Sequence, residues 1–332
     1  MSELRKDPIT GRWVIIATER GKRPSDFKAS QVVAEAEDCP LCEGREQLTP
    51  HEVFAIRSAE SHPDGPGWEV RVVPNKKPLL TVEGDLNRAG VGLYDMMEGI
   101  GAHEIIIESP QHITAISELP VEQIAKTFEA CKVRMESLMR DGRFQYMLLF
   151  KNHGEQSGGK IEHIHSNLIA LPIVPKTVKK EVEGATAYFN YKSRCVFCDI
   201  IHHELTLNER VVVENDYFLA LTPFASRFPF EVCILPKEHY SRFTHTDEAH
   251  MHSLSFILKD VLERLNLSLE QPSYNYLIHT LPVNSQRHEE FHWHLEILPR
   301  LTKMAGFEWG TGFFINPTTP EEAATYLKEI KD

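Results

Sequence analysis

The chain has 332 residues, 42% of them apolar and 25% charged, and a formal net charge of −12. That composition suits a globular protein with two units of roughly 150 residues each, and it excludes a whole-surface grip on nucleic acid or anionic membrane, so phosphate recognition must be local. No apolar leader segment lies in the first stretch and no run of roughly 18 apolar residues occurs anywhere; the expectation is a cytoplasmic protein without membrane or nucleic-acid partners.

In chain order, the first feature is a basic stretch punctuated by glycine and proline, Arg20-Gly-Lys-Arg23-Pro. Cys39-Pro-Leu-Cys42 follows, then Arg71-Val-Val-Pro-Asn75 and the run His103-Glu104-Ile-Ile-Ile that leads to His112. Val121, Ile124, Phe128, Cys131, Met135 and Leu138 recur at i+3 or i+4 and predict an amphipathic helix. Tyr146 to Phe150 reads as a strand, Asn152 to Lys160 as a glycine-bearing loop, and His163 to Leu171 as a strand opening on His163-Ile-His165. The charged stretch from Lys176 to Glu183 reads as a connector.

The second half then repeats the first. Cys195-Val-Phe-Cys198 answers Cys39 and Cys42, Val211 to Asn215 answers Arg71 to Asn75, and Phe230-Glu231-Val-Cys-Ile leads to His239. Met251, Leu254, Leu258, Val261 and Leu265 predict a second helix, Tyr274 to Ile278 a strand, and His292-Trp-His294 opens another. A last helix should start at Thr319-Pro-Glu-Glu322, where Thr319 caps, Pro320 fits the first turn and Glu322 completes a capping box, and run nearly to Asp332.

Each half therefore reads strand, strand, helix, strand, strand: an α+β unit with a helix on one face of an antiparallel sheet. The expected units are 1–175 and 176–332. Two Cys-x-x-Cys pairs that each meet histidines at nearly equal spacing point to an internal duplication and to two Cys2His2 metal sites. The expected ligands are Cys39, Cys42, His112 and His163 in one, and Cys195, Cys198, His239 and His292 in the other. Zinc is the default ion, two per chain, and a closed tetrahedral set with no position for a reacting water fits structural rather than catalytic use.

On a strand, residues two apart share a face, so His163 and His165 project side by side. The duplication assigns His163 to the metal, as the counterpart of His292, and leaves His165 free. A neutral imidazole is a nucleophile near pH 7 and can carry a covalent phosphoramidate. Glycines in the preceding loop, Gly158 and Gly159 among them, permit close backbone approach, and the loop amides with Lys160 can receive phosphate oxygens. No glycine lies between Tyr274 and His294. The first half is thus expected to be catalytic and the second not.

With Arg5-Lys-Asp-Pro-Ile-Thr-Gly-Arg-Trp-Val14, Arg20 to Pro24, Phe150-Lys-Asn-His-Gly154 and His163-Ile-His165 on the page, the chain resembles the galactose-1-phosphate uridylyltransferase family of the histidine-triad superfamily over essentially its full length. The resemblance implies a duplicated histidine-triad-like fold, nucleotidylation of His165, phosphate contacts from Arg20 and Arg23, and contacts to the nucleotide from Asn152 and Asn167, with Asn75 opening the segment that seats base and ribose. It implies exchange of a nucleoside monophosphate between a nucleotide sugar and a sugar 1-phosphate, with UDP-glucose and galactose 1-phosphate first in line, in a homodimer. It also leaves iron open at the second metal site and makes His294 an auxiliary. Departures are visible. Asn167 stands where glutamine is usual, Lys160 where serine is common, Lys76-Lys77 follow Asn75, and Gly306 to Gly312 resembles the ADP-glucose phosphorylase branch. The rival readings are accordingly a phosphorylase acting on ADP-glucose or a dinucleoside polyphosphate, and a non-catalytic nucleotide-sugar-binding protein.

Overall fold

The computed structural model describes residues 2–20 and 39–331. Near the N-terminus, β1 (Glu3–Lys6) and β2 (Trp13–Ile16) form an antiparallel pair. Their turn is held by Asp7, whose Oδ1 accepts from the amides of Ile9 and Thr10. The first half proper contains β3 (Phe54–Arg57), β4 (Trp68–Pro74), a small hairpin of β5 (Ala89–Val91) and β6 (Tyr94–Met96), β7 (Ala102–Ile107), α1 (Val121–Leu138), β8 (Tyr146–His153) and β9 (His165–Leu171). Two helices follow, α2 (Lys176–Lys192) and α3 (Val196–Leu207). The second half repeats the order with β10 (Val211–Glu214), β11 (Phe218–Leu221), β12 (Val232–Pro236), α4 (Glu248–Leu269), β13 (Tyr274–His279) and β14 (His294–Pro299), and the chain finishes with α5 (Gly306–Thr311), β15 (Phe314–Asn316) and α6 (Pro320–Glu329).

The α+β class and the duplicated unit expected from the sequence are both present, with two differences. The stretch from Lys176 to Glu183 is not an irregular connector but the opening of α2. Lys176, Lys179, Lys180 and Glu183 are the solvent side of an amphipathic helix whose buried positions, Val178, Glu181 and Ala185, recur at i+3 and i+4. Nor do the halves keep separate sheets. One ten-stranded sheet runs β10-β11-β12-β14-β13-β8-β9-β7-β4-β3. The halves meet where β13 pairs antiparallel with β8, Tyr274 opposite His153 and Asn275 opposite Asn152.

Period-2 alternation along each strand divides this sheet into two faces. Helices α1 and α4 bury one face along its length, packing Phe128, Cys131, Leu254, Leu258 and Val261 onto Leu149, Leu168, Tyr276, Ile278 and Leu295 in the main core. Removing one such ring, as in Phe128→Ala, costs about 3–5 kcal/mol. On the opposite face the halves differ. In the second half α2 and α3 bring Ala185, Val196 and Phe197 over Leu219, Leu221, Leu235 and Phe291. In the first half a smaller cluster of Cys39, Leu41, Trp68, Val73 and Ile107 covers only part of that face.

Helix α6 begins as its sequence requires. Thr319 Oγ1 accepts from the Glu322 amide at 3.1 Å and Glu322 returns the bond to the Thr319 amide. Among the described residues no helix is long and apolar enough to cross a membrane.

Candidate active site and metal clusters

Both Cys-x-x-Cys pairs come together with their expected histidines. Cys39 Sγ and Cys42 Sγ each lie 3.5 Å from His163 Nδ1, and Cys42 Sγ lies 3.4 Å from His112 Nδ1. In the second half Cys198 Sγ stands 3.4 Å from His239 Nδ1 and 3.7 Å from His292 Nδ1. Each set of four ligand atoms fits within 4.8 Å, and none of the six cysteines is bridged. A tetrahedral ion with the bond lengths usual for zinc sets sulfur–nitrogen edges of about 3.5 Å. The donor sets therefore fit a metal ion at both places. Backbone carbonyls turn three of the four rings: His163 Nε2 donates to Ser109 O at 2.8 Å, His239 Nε2 to His288 O at 2.7 Å and His292 Nε2 to Pro236 O at 2.9 Å. With that proton committed, each Nδ1 lone pair faces the sulfurs.

His165 lies two residues beyond the anchored His163, which sits in the bend just before β9 rather than on the strand, and opens β9 itself. Its Nδ1 donates to the His163 carbonyl at 2.7 Å, which fixes the tautomer and leaves the Nε2 lone pair free. The ring is half-buried and borders a cavity of about 590 Å³ whose walls include Lys151, Asn152, His153, Gly154, Gly159 and Lys160. Burial, reinforced by the Lys151 ammonium and opposed by the bond to the His163 carbonyl, pushes the imidazolium pKa down to about 4. At neutral pH the ring carries no charge, the state a nitrogen nucleophile needs.

The loop from β8 to β9 has the backbone its glycines promised. Gly154 and Gly158 hold φ of 79° and 88°. A Cβ on Gly154 would sit 2.3 Å from Ser273 Oγ, and one on Gly159 2.9 Å from Gly154 O. Gly158 shapes this loop from outside the cavity wall, whereas Gly159 and Lys160 line it.

Asn75 and Asn167 are placed elsewhere. Both turn to His103, Asn75 Nδ2 at 3.1 Å and Asn167 Oδ1 at 3.3 Å from its Nε2, and neither borders the cavity around His165. Alternation puts Asn167 on the His165 face of β9, yet two residues along a strand displace it by about 7 Å. Arg23 and the side chain of Arg20 lie outside the described residues.

Two groups were not legible in the sequence. Beneath His165, on the helix-covered face, Lys151 Nζ donates to the His165 carbonyl at 2.8 Å and pairs with Glu108 at 2.7 Å. Glu108 also accepts from Ser166 Oγ at 2.5 Å. Removing one partner of such a buried pair costs about 3–5 kcal/mol. The second group surrounds His294, which is 4% exposed and donates its Nδ1–H to the His292 carbonyl at 3.1 Å. Phe197 of α3 lies 5.1 Å from it, centroid to centroid, and Glu181 of α2 pairs with His279 Nδ1 at 2.9 Å beside it. A residue-by-residue match of His165 with His294 could not foresee a helix folding over the second one.

Two family models match successive parts of the chain. The family model described as galactose-1-phosphate uridyl transferase, N-terminal domain, matches residues 1–175, and that of the C-terminal domain matches residues 181–331. ADP-glucose phosphorylase from Arabidopsis thaliana is 37% identical over 99% of this chain and 93% of its own length. Galactose-1-phosphate uridylyltransferase from Thermotoga maritima is 30% identical over 100% and 99%. Among solved structures, an Arabidopsis thaliana ADP-glucose phosphorylase with bound ADP-glucose superposes with a TM-score of 0.85 at 35% identity, covering 99% of this chain and 98% of the other.

Proposed function

The chain belongs to the galactose-1-phosphate uridyl transferase family and is a nucleotidyltransferase, and from that premise we propose that His165 is its covalent nucleophile. The observation that carries this reading is the bond from His165 Nδ1 to the His163 carbonyl beside an open cavity, which aims an uncharged Nε2 lone pair at whatever enters. Nε2 attacks the α-phosphorus of a nucleotide sugar. As the new N–P bond forms, the bond from that phosphorus to the bridging oxygen breaks, and sugar 1-phosphate leaves with the electron pair. Nε2 has no proton to lose. In the second step an acceptor oxyanion attacks the same phosphorus and the imidazole departs neutral.

Charge on the phosphoryl oxygens would be met by main-chain amides of the loop from Gly154 to Gly159, by Lys160 and by the Asn152 side chain, with Arg20 and Arg23 as further donors. A zinc ion held by Cys39, Cys42, His112 and His163, and a second held by Cys195, Cys198, His239 and His292, would staple the strands and supply no reacting group. In this reading residues 1–175 form the catalytic half and residues 176–332 the supporting half of one subunit of a homodimer.

ADP-glucose as donor, with inorganic phosphate as acceptor, is favoured by the likeness to the Arabidopsis thaliana phosphorylase along the whole chain. UDP-glucose with a hexose 1-phosphate is the second reading, favoured by the Thermotoga maritima relative over the same length. Intact-mass measurement after exposure to each sugar nucleotide decides between them: an adenylyl adduct supports the first and a uridylyl adduct the second. Nucleotide binding with no adduct from either would reject both.

A further inference from the structure

Strand β13 belongs to the second half, yet it lies directly against β8 of the first, with Asn275 opposite Asn152. Asn275 is 6% exposed and its side chain is fully engaged. Its Oδ1 accepts from Arg300 Nε, and its Nδ2 donates to Asn152 Oδ1 at 2.6 Å and to Ser157 O at 3.0 Å. The direction of this chain of bonds is not free. A guanidinium donates and never accepts, so the Asn275 atom facing Arg300 must be the oxygen. A main-chain carbonyl only accepts, so the atom facing Ser157 must be the nitrogen. Both neighbours demand the same orientation of the amide.

Asn152 then has one orientation left. Its oxygen faces Asn275, and its nitrogen points away with no protein acceptor among the described residues, while the residue itself borders the cavity of His165. Arg300 is itself anchored: its amide donates to Ser273 O at 2.8 Å and its guanidinium lies 5.1 Å from the centroid of the Phe228 ring. Ser273 is also the residue against which Gly154 packs.

We propose that Arg300 and Asn275 are positioning residues of the transfer site. They set the polarity of Asn152 so that it offers an N–H donor to a phosphoryl oxygen, and they tie the Ser157 carbonyl so that the loop from Gly154 to Gly159 keeps its place. The proposal rests on His165 being the nucleophile. It gives the second half a part in the reaction through hydrogen-bond direction rather than through any group that touches the reacting atoms.

The test uses the full-length protein and follows adduct formation in a single turnover by intact mass, with ADP-glucose and UDP-glucose as probes. Asn275→Asp keeps the size and the Arg300 contact but removes both donors, so labelling should slow by about tenfold or more. Asn152→Ala should slow it comparably, and the double variant should lose much less than the product of the two single losses, because one residue acts through the other. Arg300→Met, which leaves the Asn275 oxygen without its donor, should slow labelling several-fold, with its melting temperature recorded beside it. Arg300→Lys, which can also only donate, should recover most of it. Wild-type labelling in Asn275→Asp, full multiplicativity with Asn152→Ala, or equal loss in Arg300→Met and Arg300→Lys would overturn the proposal while leaving His165 as nucleophile. A wild-type protein that takes no label from either probe would instead defeat the reading of His165 itself.

Discussion

The two halves present the same imidazole in the same posture, and among the described residues only one of them faces open space. His165 and His294 each follow a metal-cluster histidine by two residues, and each donates Nδ1–H to the carbonyl of that histidine, at 2.7 and 3.1 Å. What differs is the layer above. Over His165 lies a cavity bounded by a glycine loop, whereas over His294 lie Phe197 of α3 and the Glu181–His279 pair, leaving 4% of the residue exposed. Ring orientation is thus a property of the repeated unit, and access to a ligand is set by what packs on the sheet.

The largest expected effect tests that contrast directly. His165→Gly should lower labelling by a nucleotide sugar by on the order of 10⁴-fold or more, the usual loss when a covalent nucleophile is removed, while His294→Gln should still label. Labelling that follows His294 instead would reverse the assignment of the halves.

Metal removal sharpens it next. Replacing Cys39 and Cys42 together by serine should release one ion, unsettle the carbonyl that holds His165 and slow labelling by on the order of 100-fold. Replacing Cys195 and Cys198 should release the other ion and lower the melting temperature, with a far smaller effect on labelling. Elemental analysis beside the labelling assay separates the two.

A third prediction concerns the covered face. Burial alone would lower the His279 pKa, but the Glu181 carboxylate overrides it and raises it to about 9, while the imidazolium in turn holds the Glu181 carboxyl below its usual range against its own burial. The histidine's contribution, on the order of 3 kcal/mol, is fully present below its unfolded pKa of about 6.5 and is lost as pH rises through about 9. The carboxylate's contribution is lost on the acid side, as pH falls through its depressed value. The melting-temperature gap between the wild type and a Glu181→Gln, His279→Gln variant should therefore be widest near pH 5–6.5 and narrow above pH 9. A gap that widens at high pH would mean the pair is not ionised as described.

The smallest effect is in the open half. Gly154→Ala places a methyl against Ser273 at a positive φ and should slow labelling by about tenfold with a melting shift of a few degrees. Gly142→Ala, which meets nothing within 4 Å, serves as its control.

Much of this was legible because side chains with narrow chemistry were repeated. Eight cysteines and histidines announced two clusters, and Thr319 with Glu322 announced the start of α6. Hydrophobic spacing announced α1 and α4, and likewise the strand that carries His165. What escaped was long-range pairing. Nothing local says that β8 lies against β13, so neither the support of Asn152 by Asn275 nor the shared sheet could be read. The charges of Lys176 to Glu183 concealed a helix because the apolar positions of α2 are few, and the charged Glu181 is among its buried residues. Nor could the motifs show that Asn75 and Asn167 meet at His103, which depends on the register of β7 with β9 and on the bend after β4.

The seam between β8 and β13 has a consequence for the history of the chain. In an isolated half either strand would be a bare edge, its amides and carbonyls open to any other strand that drifted near. A protein cut at this line is expected to clump rather than yield two working pieces. Once two copies had joined there, neither could be discarded without baring the edge of the other.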